Sequence, residues 1–96
     1  VSTELADGIA CRTADESALR ILQGQLDHIV QVTDTEVAQA MRDLFTCTHN
    51  AAEGAGAASF AAAMQERHLL AGQTVGVTLC GGNVDSAVFA RTLRNP

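Results

Sequence analysis

The chain has 96 residues, of which 47% are hydrophobic and 18% charged, a composition typical of one folded domain with a small core. Its net charge of −5 disfavours nucleic acid and anionic membranes as partners. No apolar run reaches the length of a membrane span, and the amino end lacks the pattern of a secretory signal.

The cysteines argue for a reducing environment. Cys11, Cys47 and Cys80 are odd in number and far apart, without a C-x-x-C pair, so neither a disulfide framework nor a zinc site is expected. The predicted compartment is the cytoplasm, and no metal site is predicted. All six basic residues are arginine, so the chain has no lysine. It opens on Val1 instead of Met, as expected of a processed chain or of part of a longer one.

The first half of the chain predicts two helices and one strand. The segment Thr3–Cys11, with Asp7 and Gly8, is expected to be a loop, and Ala14–Gln23 a helix ended by Gly24. The β-branched segment Leu26–Thr33 predicts a buried strand. Thr33 and Glu36 then fit a capping box. It is followed by an apolar stripe at helical spacing, formed by Val37, Ala40, Met41, Leu44 and Phe45.

The second half predicts an interior helix, a strand and a last helix. Ala51–Ala63 is mostly alanine, which favours a closely packed helix that ends near Arg67. Thr74–Cys80 alternates apolar and small residues, as a strand does. Gly81 and Gly82 end it, and Asp85 or Ser86 can cap a helix that carries Val88, Phe89 and Leu93.

This order predicts an α/β fold, in which the chain forms part of an open parallel sheet flanked by helices. Because two strands do not make a stable sheet, we expect the chain to complete a sheet begun elsewhere. Cys80 would then lie at the carboxyl end of a strand, where open α/β sheets bind ligands. The two glycines after it allow a flat group to approach the backbone.

Three segments carry a resemblance to a known family. They are Thr3-Glu-Leu-Ala-Asp-Gly8, Glu53-Gly-Ala-Gly-Ala-Ala58 and Leu79-Cys-Gly-Gly-Asn-Val-Asp85. In this order and spacing they resemble the carboxyl-terminal part of the threonine dehydratase and serine racemase group, which are fold-type II pyridoxal-phosphate enzymes. The resemblance implies that residues 1–96 are a single fragment, about the last third, of such a catalytic domain.

The resemblance implies a cofactor, a reaction and site residues. Cys80 stands where the family usually has Ser or Cys against the pyridine nitrogen of pyridoxal phosphate. A thiol is a weak neutral donor that leaves this nitrogen largely unprotonated, which suits β-elimination of a 3-hydroxy amino acid to a 2-keto acid and ammonia. Gly8 and Gly81 are implied to lie against the cofactor, and Glu53 to be a catalytic carboxylate facing the cavity. Gly54 stands where the family commonly has proline.

The same resemblance implies partners and alternatives. The lysine and the phosphate loop of such enzymes lie in earlier segments, so this chain alone is expected to be inactive and to need the remainder of the domain. A homo-oligomer acting on an amino-acid substrate is expected. An amino-acid racemase of the same fold, or a non-catalytic α/β module that binds an anion through backbone amides, are the alternatives. From the residues alone, Cys11 and Cys47 are expected to be buried structural thiols. Cys80 could be one as well, Glu53 a helix cap and Gly8 a turn residue.

Overall fold

The computed structural model describes residues 3–11 and 13–94 and contains four α-helices in that part of the chain. These are α1 (Glu16–Leu22), α2 (Asp34–Thr48), α3 (Gly54–Gln65) and α4 (Ser86–Arg94). One turn of 3-10 helix, Asp7–Ile9, precedes them. α2 and α3 form the main helix pair, α4 packs on α2, and the 3-10 turn packs on α3.

The start of α2 confirms the predicted capping box. The Thr33 hydroxyl accepts the Glu36 N–H at 3.1 Å, and the Glu36 carboxylate accepts the Thr33 N–H at 2.9 Å. Aspartates begin two other helices, because Asp15 accepts from Ser17 N–H before α1 and Asp85 accepts from Ala87 N–H before α4. The predicted helices are therefore confirmed in type, and side-chain caps mark the starts of α1, α2 and α4.

The core lies between α2 and α3. The predicted stripe on α2 is buried over its first four members, and Met41 and Val37 are the largest fully buried side chains. Phe45, at the end of the stripe, is 38% exposed and packs edge to face on Phe89 of α4, with ring centroids 5.4 Å apart. The other core members are Ala52, Ala57 and Ala61.

The alanine-rich helix is closely packed, as predicted, but starts later. The first three residues of the predicted helix, 51–53, are not helical, and Glu53 is extended. On α3, Gly54, Gly56, Ala57 and Ala61 are buried. Without larger side chains between them, α3 and its neighbours approach to backbone contact.

The two predicted strands are not formed within residues 3–11 and 13–94. Segments 26–33 and 74–80 carry no β-ladder there, because a strand requires a paired neighbour and the described chain gives them none. The α/β arrangement predicted from the sequence is thus present here in its helices only.

Apolar side chains remain exposed on α1 and on segment 74–80. Ile21 is 72% exposed, and Val75, Val77 and Leu79 are each exposed by about two-fifths. The radius of gyration of 14.1 Å exceeds the roughly 12.5 Å of a compact domain of this length. These surfaces are suited to contact with further protein. Among the described helices, none has the length and apolarity needed to cross a membrane.

Candidate functional site

The three segments singled out from the sequence meet at the amino-terminal end of α3. A Cβ added to Gly8 would lie 3.2 Å from the Ala55 Cβ, so the 3-10 turn touches the first turn of α3. On the other side, a Cβ on Gly56 would lie only 2.0 Å from the Cys80 carbonyl oxygen. The structure therefore brings Gly8, Glu53 and Cys80 to one end of one helix.

Cys80 has a free and exposed thiol. Its carbonyl oxygen accepts the Glu53 N–H at 3.4 Å, which joins the carboxyl end of segment 74–80 to the start of α3. The alternative that Cys80 is a buried structural thiol is thus wrong for this structure. The prediction that Cys11 and Cys47 are buried structural thiols is also wrong, because both are exposed.

Gly81 has a backbone conformation that favours glycine, and it lies against the Glu53 side chain. Its φ is +76°, a left-handed conformation that side chains disfavour. A Cβ at this position would also lie 2.3 Å from Cγ and Cδ of Glu53 and 2.4 Å from its Oε1. The backbone after Cys80 therefore turns directly against the Glu53 side chain.

Glu53 is the N-cap residue of α3, yet its carboxylate caps no helix amide. The side chain is half-buried and lies over Gly81 instead. The alternative that the Glu53 side chain is a helix cap is therefore wrong, and the carboxylate lies beside the thiol-bearing turn. Gly54, at the family's proline position, faces Leu5, whose carbonyl oxygen would lie 2.0 Å from an added Cβ.

A polar clasp holds the amino-terminal segment on α2. The Asp34 carboxylate accepts hydrogen bonds from the Thr3 hydroxyl and, at 2.8 Å, from the Glu4 N–H. The Glu4 N–H, followed by the Thr3 hydroxyl, lowers the pKa of Asp34 below its ordinary value. This clasp precedes the Asp7–Gly8 turn by a few residues and so orients it. Sequence reasoning missed Asp34, because an aspartate in the first turn of a helix needs no partner to explain it.

The site is an open surface. A hollow of about 390 Å³ lies between the 3-10 turn, segment 30–34 and α2, and neither Glu53 nor Cys80 lines it. A smaller hollow of about 200 Å³ lies between α2 and α3 near Arg67. Neither hollow contains the residues predicted to carry chemistry. These residues lie on a rim that another part of a protein can cover.

The chain belongs to the family of pyridoxal-phosphate dependent enzymes, whose family model matches residues 1–81. It is 38% identical over 90 residues to the phenylserine dehydratase of Ralstonia pickettii, covering 93% of this chain and 28% of that protein. It is 40% identical over 86 residues to the L-threonine ammonia-lyase of Geobacter sulfurreducens, covering 88% of this chain and 21% of the relative. The Thermotoga maritima L-threonine ammonia-lyase is 32% identical, with 93% and 22% covered.

The chain thus spans about a quarter of the length of the curated relatives that it matches. No solved structure matches it.

The site residues fit the family's cofactor. An exposed thiol stands next to a glycine turn, so a flat pyridine ring can approach the backbone there. Gly8, on the other side of the α3 start, is exposed and also has no side chain. The thiol offers a weak neutral hydrogen bond to a ring nitrogen. Since the chain has no lysine, these residues can contact the ring but cannot supply an amine to it.

Proposed function

We propose that the chain is part of a pyridoxal-phosphate-dependent ammonia-lyase that β-eliminates threonine, serine or a related 3-hydroxy amino acid, giving a 2-keto acid and ammonia. The observation that carries the proposal is the meeting of Gly8, Glu53 and Cys80 at the start of α3. Relatives named as phenylserine dehydratase and L-threonine ammonia-lyases support the reaction class.

Cys80 is proposed to contact the pyridine nitrogen. Bound pyridoxal phosphate supplies the electron sink for loss of the substrate's α-hydrogen. The Cys80 thiol is a weak neutral donor, so it leaves the ring nitrogen largely unprotonated. The ring then withdraws electrons only moderately from the substrate. A moderate sink favours prompt departure of a β-hydroxyl over slower competing reactions.

Glu53 is proposed as the carboxylate that faces the substrate. It caps no helix amide, and its Oε1 lies beside Gly81. A carboxylate in this place can hold a proton and return it to a leaving group. Gly8, which is exposed on the opposite side of the α3 start, would leave room for the substrate.

The remaining proposals concern the whole protein. We propose that segment 74–80 becomes a strand in the parallel sheet of a fold-type II enzyme, of which residues 1–96 form the carboxyl-terminal part of the catalytic domain. The exposed, alternating Val75, Val77 and Leu79 support this. Three free thiols support a reducing cytoplasm. A homo-oligomer is proposed by analogy with the family.

The test substitutes Cys80 in the full-length protein and follows keto-acid release together with the visible absorption of the bound cofactor. Cys80→Ser should keep most of the activity, because a hydroxyl can meet the same nitrogen. Cys80→Asp should hold a proton on that nitrogen, lower β-elimination by about tenfold or more and raise side reactions such as transamination. Cys47→Ser, at an exposed thiol near the end of α2, is the matched control and should behave as wild type.

Three outcomes would contradict the proposal in different ways. If Cys80→Asp leaves rate, spectrum and product ratio unchanged, Cys80 does not contact the ring. If the wild-type protein binds the cofactor and interconverts amino-acid enantiomers without releasing keto acid, it is a racemase of the same fold. If it binds no pyridoxal phosphate, it is a non-catalytic module.

A further inference from the structure

Ser59 joins α3 to segment 74–80 through one side-chain oxygen. Its Oγ donates to the Thr78 carbonyl oxygen at 3.1 Å and accepts the Thr78 N–H at 2.9 Å. The Thr78 hydroxyl lies 3.0 Å away and can donate to the same oxygen. A hydroxyl has one proton and two lone pairs, so these three contacts use its full hydrogen-bonding capacity on one residue.

The contacts of α3 with this segment show the relative direction of the two. Glu53, the N-cap residue of α3, and Gly56 both contact Cys80, whereas Ser59, three residues after Gly56, contacts Thr78, two residues before Cys80. Three helical residues rise about 4.5 Å and two extended residues about 6.6 Å. The helix and the segment therefore run antiparallel, because contacts further along α3 fall on earlier residues of the segment.

Among these contacts, the Ser59–Thr78 pair makes the shortest hydrogen bonds. At Gly56 the contact with the Cys80 carbonyl is steric and only limits how close the two backbones can come. The hydrogen bond from Glu53 N–H to Cys80 is long, at 3.4 Å, and bonds at that distance are weak. The Ser59 hydroxyl makes two shorter bonds to the Thr78 backbone, so it determines where the segment lies along α3.

We propose that Ser59 is a positioning residue for Cys80. By holding the Thr78 backbone through two hydrogen bonds, it fixes the position of the Cys80 thiol along the axis of α3. The inference rests on the proposed function in one respect, namely that Cys80 contacts the pyridine ring. A serine in an alanine-rich helix has no need of its hydroxyl for helix formation, since alanine is the better helix former. Its hydroxyl acts on the neighbouring segment.

The test compares Ser59→Ala with Ser59→Thr in the full-length protein. The cofactor-free form is alkylated with iodoacetamide, and the rate at Cys80 is followed by peptide mass spectrometry, with Cys47 as internal standard. Loss of the hydroxyl should change the Cys80 rate by about threefold or more and leave the Cys47 rate unchanged. Ser59→Thr keeps the hydroxyl and should restore the wild-type rate. Ser17→Ala, on exposed α1, should change nothing.

The cofactor-loaded enzyme gives the second readout. Ser59→Ala should shift the visible absorption band and lower kcat with little change in KM, because the thiol meets the ring and not the substrate. Unchanged alkylation and absorption in folded Ser59→Ala would overturn the proposal. Altered alkylation with an unchanged band would make Ser59 a purely structural residue and would also overturn it.

The outcomes separate this inference from the proposed function. If the wild-type protein releases no keto acid but Ser59→Ala still alters both Cys80 alkylation and the absorption band of the bound cofactor, the positioning by Ser59 stands and the lyase assignment fails. If Ser59→Ala does not fold, Ser59→Cys is used, since a thiol keeps the volume and weakens both hydrogen bonds. The same two readouts then decide.

Discussion

Gly56→Ala gives the sharpest test of the contact between α3 and Cys80, because two effects predict opposite results. Alanine is a better helix former than glycine and alone would stabilise the helix by about 1 kcal/mol. In this structure, however, the new Cβ would lie 2.0 Å from the Cys80 carbonyl oxygen and 2.7 Å from its carbon. Real Cβ atoms essentially never come closer than 3.0 Å, so the backbones must separate by at least about 1 Å.

That separation determines the expected magnitude. Overpacking costs about 1–3 kcal/mol, and the Ser59–Thr78 hydrogen bonds, worth roughly 1 kcal/mol each, are stretched by the same movement. Together these effects outweigh the gain in helix propensity. We expect Gly56→Ala to lower the free energy of unfolding by about 1–3 kcal/mol and to change the alkylation rate of Cys80.

Denaturation of the full-length protein in urea measures the first quantity, and peptide mass spectrometry measures the second. Gly76→Ala is the matched control, because an added Cβ there has no heavy atom within 4 Å. It should stay within about 0.5 kcal/mol of wild type. If Gly56→Ala is more stable than wild type and Cys80 reacts as before, α3 does not rest on the Cys80 backbone and the described site is wrong.

Further predictions concern capping and charge. Thr33→Ala removes the capping box and should cost about 1 kcal/mol in urea denaturation, with Thr33→Ser near wild type; an equal loss in both would point to another cause. The pKa of His28 is raised by its hydrogen bond to Glu66 and then by that to Asp27. The stabilisation of the folded protein by these two hydrogen bonds is complete below the ordinary histidine pKa of 6.5. It is lost as the pH rises through the raised pKa of His28. His28→Gln should remove this pH dependence of unfolding, and a persistent dependence would exclude His28. The pKa of Asp34 is lowered, so the ionised carboxylate stabilises the folded protein above its ordinary pKa. This stabilisation is lost as the pH falls through the lowered pKa of Asp34. Asp34→Asn should destabilise the protein at neutral pH and expose the Thr3–Gly8 segment to proteolysis, whereas protection equal to wild type would contradict the clasp.

α2 could be predicted from the sequence because its determinants are local. Thr33 and Glu36 are three residues apart and cap the helix by themselves, and the buried stripe repeats within the same fifteen residues. The extended character of segment 74–80 has a local signal too, in its alternating valines. Pairing of that segment depends on other strands, and no local pattern specifies it.

That the four site residues act on a cofactor stays a prediction, and their arrangement in space could not be predicted from the sequence. The resemblance pointed to Gly8, Glu53, Cys80 and Gly81, and the structure brings these together. Gly56 and Cys80 are far apart in the chain and approach each other through backbone atoms. Since all residues share these atoms, the residue types do not reveal the contact. The Ser59–Thr78 contact likewise spans nineteen residues. Such contacts leave no periodic trace, and glycine and serine at these positions are also compatible with an ordinary helix.

The composition of α3 has a consequence for conformational entropy. Eight of its twelve residues are alanine or glycine, and these side chains have no rotamers to lose when they are packed. The surface between α3 and the Cys80 turn therefore forms without the entropic cost that larger side chains would add. At Gly56 the contact is with the Cys80 backbone, so no side chain there can turn to absorb a change in volume. A single methyl group added at Gly56 would therefore displace the Cys80 backbone, and the Cys80 thiol would move with it.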